Sequence, residues 1–142
     1  MKPASVLLLA LAATAIRAEG PTMRQLMLDL IHPASNEIQV FVNRGAPTDE
    51  AEWGRVRSSA LMLAESGKLL ALPDRVPKER AEWTRDADAL AEIGTKAYQA
   101  AQAKDFAALA ALTESLDASC TNCHKQFRPN VFPRKGAAEG NK

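Results

Sequence analysis

The sequence predicts an all-α protein that folds as one four-helix bundle. It has 142 residues, of which 46% are hydrophobic, and this is the size and balance of one compact domain. Alanine is abundant, isoleucine and valine are scarce, and this composition favours helix over strand. Four stretches with helical spacing of apolar residues are separated by joints that contain Pro or Gly. Four helices with short joints pack in antiparallel, up-down-up-down order.

The first 18 residues are typical of a secretory signal peptide. Lys2 precedes an apolar run from Val6 to Ala13, and small residues follow that run. The run is too short to span a bilayer, so a membrane anchor is not expected. Both Ala15 and Ala18 fit as the residue before the cleaved bond. We therefore predict residues 1–18 as the signal peptide and expect no membrane association after cleavage.

The first two helices are predicted from apolar residues at three- and four-residue steps. The first covers residues 22–43, and Pro33 is expected to kink it after His32. The second begins with Thr48 as its N-cap, carries acidic residues in its first turn, and ends at Pro73.

The third and fourth helices complete the predicted bundle, which spans residues 19–129. The third opens near Pro77, a favourable first position, and carries an alanine-rich stripe that permits close helix approach. The fourth begins near Asp105, has apolar residues at alternating three- and four-residue steps, and ends before Pro129. Residues 130–142 are predicted to form a flexible C-terminal tail.

The two cysteines of the chain are Cys120 and Cys123, and His124 follows directly. The C-x-x-C-H spacing is that of c-type haem attachment. The two thiols add across the vinyl groups of one porphyrin edge, and the adjacent imidazole reaches the iron as an axial ligand. Because positions i, i+3 and i+4 share one helix face, all three groups can approach the same ring. The sequence therefore predicts one covalently bound haem c, with His124 as the proximal iron ligand.

Two other interpretations of the cysteine pair fit less well. A redox dithiol normally lies at a helix N-terminus after a strand, whereas this pair lies deep in a helical stretch. A structural zinc site needs four ligands, so it would have to include His32, the other histidine. The number of residues between His32 and the motif differs from the ligand spacing of zinc fingers. The signal peptide supports haem, because bacteria attach haem to thiols outside the cytoplasm. We therefore expect a periplasmic protein.

The segment C-T-N-C-H-K-Q-F-R at the end of the fourth helix, with the signal peptide and the four helices, resembles the cytochrome c′ family, the class II c-type cytochromes. In that family an aromatic and a basic residue follow the C-terminal haem motif, matched here by Phe127 and Arg128. The resemblance implies a periplasmic four-helix haem protein, often dimeric through its first two helices, so a homodimer is a candidate assembly. It also implies that Arg128 steadies the proximal side, although Arg128 is equally suited to cap the last carbonyls of the helix.

The residue on the other face of the iron decides the function, because Met ligation supports electron transfer and a vacant apolar face permits gas binding. In the predicted antiparallel bundle, the first residues of the first helix and the last residues of the fourth lie at the same end. Met27 lies about 7.5 Å from the first of these ends and His124 about 6 Å from the second, so Met27 is the predicted sixth ligand. His32 and Met62 lie about 15 Å from that end of the bundle, and Met23 is expected to fray.

Arg24 enters the prediction in two ways. In five-coordinate members of the family, an apolar residue or Met lies four positions after an early Arg, and from Arg24 that count reaches Leu28. Arg24 is also a candidate partner of a haem propionate, or else a solvated residue at a helix start.

We expect a periplasmic electron carrier with a His/Met-ligated haem that exchanges electrons with a redox partner protein. The second interpretation is a five-coordinate haem protein that binds a gas such as NO or CO. No enzyme is expected, because no His, Arg or Glu is found at the height of the distal face. Nucleic acid is excluded as a partner, because the formal net charge is +1 and no basic stripe is present.

Overall fold

The computed structural model describes residues 20–45, 49–78 and 80–128, and these residues form four helical stretches without a strand. The predicted signal peptide and C-terminal tail lie outside the described residues. Helix α1 consists of three consecutive segments, Met23–Gln25, Leu26–Ile31 and His32–Arg44, and the middle segment is π-helical. Helices α2 and α3 are Glu50–Leu70 and Arg80–Ala103. Helix α4 consists of Phe106–Ala111 and Thr113–Phe127.

Hydrogen-bonded caps begin three of the helices. Thr22 and Gln25 form a capping box at the start of α1, in which the Gln25 N–H donates to Thr22 Oγ1 at 3.2 Å. The N-cap of α2 is Asp49, which accepts from the Glu52 N–H at 2.8 Å. The predicted cap, Thr48, lies outside the described residues; the Asp49 carboxylate accepts the orphan N–H and complements the helix dipole. Helix α4 begins next to Asp105, as expected, and Asp105 is its N-cap, which accepts from the Ala108 N–H.

Two helix boundaries differ from the predictions. Helix α3 begins at Arg80, not near Pro77, because the preceding loop has its own anchor. In that loop the Arg75 guanidinium donates to the Leu69 carbonyl at 3.1 Å and to the Pro21 carbonyl at 3.5 Å. Helix α4 is interrupted at Leu112, whose N–H donates to Leu109 in a tighter turn.

Pro33 directly follows the π-helical segment of α1. Proline has no N–H, and its ring crowds the carbonyl four residues earlier in a regular α-helix. Before Pro33, the His32 N–H donates to the Met27 carbonyl, five residues back, in the wide turn of a π-helix. The side chains before Pro33 are therefore rotated relative to the register that a straight α-helix predicts.

The four helices pack in a ring, in which α1 contacts α2 and α4, and α3 contacts α2 and α4. Short connections make neighbouring helices antiparallel, so the predicted bundle is confirmed. One end of the bundle, here called the closed end, is filled by aromatic rings. The centroids of Phe41 and Trp53 lie 5.0 Å apart, and Phe106 lies 6.2 Å from Phe41. The opposite end, here called the open end, combines the starts of α1 and α3 with the ends of α2 and α4.

Helices α2 and α3 have the most extensive interface, and glycine makes their close approach possible. A Cβ added at Gly94 would overlap the backbone of Ala64, and a Cβ at Gly67 would overlap the backbone of Ala87 and Ala91. Both glycines are buried. The alanine-rich stripe of α3 therefore permits close approach, as predicted, and glycine is required where the backbones meet.

Replacing Gly94 with alanine is expected to lower the free energy of unfolding by about 1–3 kcal/mol, because the backbone of Ala64 cannot move aside cheaply. Gly54 is the matched control: it lies inside α2, and a Cβ there meets nothing within 4 Å. Gly54→Ala should raise the free energy of unfolding by about 0.5–1 kcal/mol. Urea denaturation of both variants measures the difference. Equal effects at the two positions would contradict the close approach of α2 and α3.

Candidate functional site

A pocket at the open end of the bundle is lined by side chains from all four helices. Met27 and Ile31 come from α1, and Leu70 comes from the last turn of α2. Trp83 and Leu90 contribute from α3. The α4 wall carries the cysteine and histidine motif. The α1 and α2 walls are therefore apolar, the α3 wall carries the carboxylate of Asp86 among apolar side chains, and the thiols and the imidazole lie on α4.

Cys120, Cys123 and His124 lie in the last two turns of α4 and line this one pocket together. All three residues are partly buried, and both thiols are free. The helical spacing of three and four residues places them on one face, as the sequence analysis expected. Two thiols and an imidazole therefore face a common space.

Burial shifts the ionisation of all three groups. It raises the pKa of Cys123 to about 11, and the Asp86 carboxylate and Cys120 add to this effect. It also raises the pKa of Cys120, where Asp117 adds to the shift and a hydrogen bond with Ser35 opposes it.

Burial lowers the pKa of His124, and the positive charge of Arg128 lowers it further. The lowered pKa favours the neutral imidazole, which is the form that ligates a metal.

Two open grooves extend the pocket, and both of them border His124. The larger groove has a volume of about 520 Å³ and runs between the start of α1 and the end of α4, past Trp83. The second groove, about 400 Å³, lies between α1 and α4 and reaches Ser35 and Cys120. The first pocket, here called the enclosed pocket because side chains from all four helices line it, has about 30 Å³, which is the scale of a single water molecule. The grooves have the volume typical of small-molecule sites, so they offer room for a cofactor attached at the motif.

Met27 borders the enclosed pocket and both grooves, and His124 borders the same three spaces. Leu28, which the count from Arg24 selects, is 52% exposed and borders the grooves alone. Met27 is partly buried and is packed against the core. The π-helical turn therefore accompanies an arrangement in which Met27, not Leu28, reaches the enclosed pocket.

The other candidate axial ligands lie further from the pocket. Met62 is 36% exposed and borders a separate groove between α1 and α2. Met23 borders the larger groove alone. His32 is exposed and borders the second groove, but not the enclosed pocket.

The two arginines named from the sequence lie at the rim of the site. Arg24 is exposed beside the larger groove, and Arg128 is exposed beside both grooves. The Arg128 backbone N–H donates to the His124 carbonyl at 2.8 Å and ends α4. The Arg128 side chain places its positive charge near His124, as the lowered pKa of the imidazole indicates.

Residues 64–128 match the family model described as Cytochrome C'. This match supports membership of the cytochrome c′ family. The matched region covers the end of α2, all of α3 and α4, and the complete C-T-N-C-H motif. Members of this family carry one covalently bound haem c, and they are generally haem carriers rather than enzymes. No curated protein and no solved structure matches the chain.

The haem c of a cytochrome c′ family member fits the residues of this site. Thioether attachment requires two thiols on one helix face beside an apolar space, and Cys120 and Cys123 meet that requirement. An axial imidazole must be neutral, and the lowered pKa of His124 favours that form. Within the described residues, no helix is long and apolar enough to cross a membrane.

Two residues of the α3 wall acquire a place in the site that the sequence analysis did not assign. Trp83 donates its Nε1–H to the Leu70 carbonyl at 2.7 Å, and its ring centroid lies 5.0 Å from that of Phe127. Asp86 lines the enclosed pocket beside Cys123. Asp86 lies three residues after Trp83 and four before Leu90, on the same face of α3, and a pattern of apolar residues does not reveal such a carboxylate.

Proposed function

We propose that this protein is a periplasmic electron carrier whose haem c is attached at Cys120 and Cys123 and ligated by His124 and Met27. The observation that carries the proposal is that an imidazole from α4 and a thioether from α1 border the same three spaces. A thioether is a soft, polarizable ligand that suits haem iron. His/Met ligation is the arrangement that cytochromes use for electron transfer.

The cysteine pair holds the cofactor in a fixed position. Each thiol adds across a vinyl group, so that sulfur bonds to one vinyl carbon and the thiol hydrogen passes to the other. Because Cys120 and Cys123 lie one turn apart on α4, the two thioethers fix one edge of the ring relative to that helix. Covalent attachment to one helix therefore retains the cofactor in the proposed site, and no large domain movement is needed to hold it.

His124 and Met27 have separate tasks in the proposed ligation. The haem iron supplies the one-electron chemistry when it is bound. His124 comes from the same helix turn as the thiols, which restricts the position of its ring, and burial keeps it neutral. Met27 comes from α1, a different helix, so its ligation depends on the packing of α1 against α4. Thioether ligation favours the ferrous state and raises the reduction potential.

The apolar walls of the pocket serve electron exchange by excluding water. Ile31, Leu70, Trp83 and Leu90 surround the space that Met27 shares with the motif, and all four are buried. A dry and closely packed site changes little when one electron is added, because few solvent dipoles must reorient. The electron partner would be a redox protein.

Gas binding is the second candidate function, and the apolar lining of the enclosed pocket favours it. If Met27 packs against Ile31 and Trp83 without ligating the iron, the sixth position is left to an exogenous ligand. The side chains next to Met27, which include Ile31, Leu70, Trp83 and Leu90, are apolar, and this suits a small uncharged gas such as NO or CO.

A homodimer through α1 and α2 is proposed from the family resemblance. Leu61 and Met62 are both exposed on α2, with 45% and 36% of their surface accessible. Exposed apolar side chains on this helix are compatible with such an interface.

Protein produced with haem-attachment machinery is expected to gain the mass of one haem and to retain it through acid–acetone extraction, because the bond is covalent. The double variant Cys120→Ala, Cys123→Ala should carry no haem after the same extraction. Ser119→Ala is the control, because Ser119 borders the same pocket without a thiol. Intact-mass spectrometry gives the answer, and release of all haem from the unmodified protein would contradict attachment at the motif.

Export is expected to remove residues 1–15 or 1–18 and to deliver the chain to the periplasm. The measurement is the N-terminal mass of protein recovered from a periplasmic extract. An intact N-terminus found exclusively in the membrane fraction would contradict the proposed location.

Replacing Met27 with leucine is expected to leave the fold intact, at a cost below about 1.5 kcal/mol, because the volume and the apolar contacts are kept. The iron should become high-spin, the ferrous protein should bind carbon monoxide readily, and the reduction potential should fall. Met23→Leu is the matched control, because Met23 borders the larger groove but not the enclosed pocket. An unmodified protein that is already high-spin and binds carbon monoxide without delay would favour gas binding instead.

A further inference from the structure

Asp86 is an acidic residue on the apolar face of α3. Its side chain is 14% exposed, and Oδ2 is buried without a hydrogen-bond partner among the residues that the structure describes. The second oxygen, Oδ1, lies 3.4 Å from Nη2 of Arg85. The Arg85 side chain is 68% exposed, so solvent screens this ion pair and leaves much of the carboxylate charge uncompensated. The structure therefore holds a poorly neutralised negative charge beneath the surface.

This charge lies inside the proposed haem site. Asp86 borders the same enclosed pocket as Met27, Cys123 and His124. Its influence reaches the motif, because it contributes to the raised pKa of Cys123. The apolar side chains around the pocket lower the local dielectric constant, so a charge acts there over a longer distance than in water.

The burial of Asp86 has no structural compensation in its surroundings. A carboxylate that leaves water without full hydrogen bonding costs stability, and asparagine or an apolar residue would avoid that cost. No helix cap, and no ion pair other than the exposed one to Arg85, uses the carboxylate within the described part of the chain. The groups that interact with this charge are those that line the pocket, such as Cys123.

We propose that Asp86 sets the reduction potential of the haem by stabilising the oxidised state. The proposal rests on haem attachment at Cys120 and Cys123 as proposed above, but not on ligation by Met27. When the iron loses one electron to the partner, its charge increases by one unit. A fixed negative charge in the same low-dielectric pocket stabilises that extra positive charge and makes the ferric state more favourable.

The cationic residues at the rim act in the opposite direction but are less effective. Arg24 and Arg128 are exposed beside the grooves, where water and salt screen their charges. The Asp86 side chain is 14% exposed and its Oδ2 is buried, so we expect its effect to persist at high ionic strength. Asp86 is thus a residue that adjusts the cofactor electrostatically, without ligating the iron.

The test is a redox titration of the holoprotein carrying Asp86→Asn, an exchange that removes the charge and nearly preserves the shape. At a fixed ambient potential, the ratio of ferrous to ferric protein should rise roughly tenfold, which equals about 59 mV for a one-electron couple. The shift should remain in high salt. The haem spectrum and the mass of the attached cofactor should not change.

Two further variants separate charge from packing. Asp88→Asn removes the same charge from an exposed position on the same helix and should leave the potential almost unchanged. Asp86→Glu keeps the charge and should stay close to the potential of the unmodified protein, even if its thermal stability falls. Equal shifts for Asp86→Asn and Asp86→Glu would overturn the proposal, because the effect would then come from packing.

The outcomes also distinguish this inference from the proposed function. If the unmodified protein carries no covalent haem, the mass measurement shows that haem attachment has failed before any titration is made. If haem is attached and Asp86→Asn has the potential of the unmodified protein, the role of Asp86 is overturned while the haem site stands. A shift that disappears in high salt would also overturn it, because a buried charge is not screened in this way.

Discussion

The close approach of α2 and α3 is the constraint on which the rest of the molecule depends. Gly67 and Gly94 bring the two backbones into contact, so these helices form a rigid pair with little space between them. The hydrogen bond from Trp83 to the Leu70 carbonyl fastens the same pair at the open end of the bundle. Helices α1 and α4 pack beside this pair and complete the ring of four. The site lies at the open end, where a groove remains between α1 and α4.

The distribution of large side chains decides at which end the opening occurs. Phe41, Trp53 and Phe106 fill the closed end. At the open end, Trp83 and Phe127 contact each other at one side of the pocket and leave the grooves unfilled. A bundle with 5% aromatic residues therefore lacks core volume at one end, and the cofactor of this family is suited to supply it.

Local chemistry explains which parts of the structure were predictable from sequence. The C-x-x-C-H spacing and the start of α4 near Asp105 depend on a few consecutive residues. The structure has the motif on one helix face and begins the helix after Asp105, as expected. In the loop before α3, Arg75 donates to the carbonyl of Leu69, six residues earlier, and to that of Pro21, 54 residues earlier, and no pattern near Pro77 predicts those contacts. The place of Asp86 depends on tertiary packing. Asp86 is a polar residue on the apolar face of α3, and the packing of the other helices makes it part of the pocket lining.

Counting along α1 shows the limit of regular geometry. A straight α-helix places the fourth residue after Arg24 one turn above it, and that residue is Leu28. The π-helical segment before Pro33 changes the rotation per residue, and Met27 then borders the enclosed pocket. Proline is usually considered a helix breaker. Here Pro33 follows a π-helical segment in which Met27, and not Leu28, borders the enclosed pocket.

The positions of the two tryptophans give the protein a pair of built-in optical reporters. Trp83 lines the pocket, whereas Trp53 is buried among aromatic rings at the closed end. Haem accepts excitation energy from nearby indole rings, so the emission of Trp83 should be the more strongly quenched. Residual fluorescence then reports mainly on Trp53, and its change during unfolding follows the part of the core that lies furthest from the cofactor.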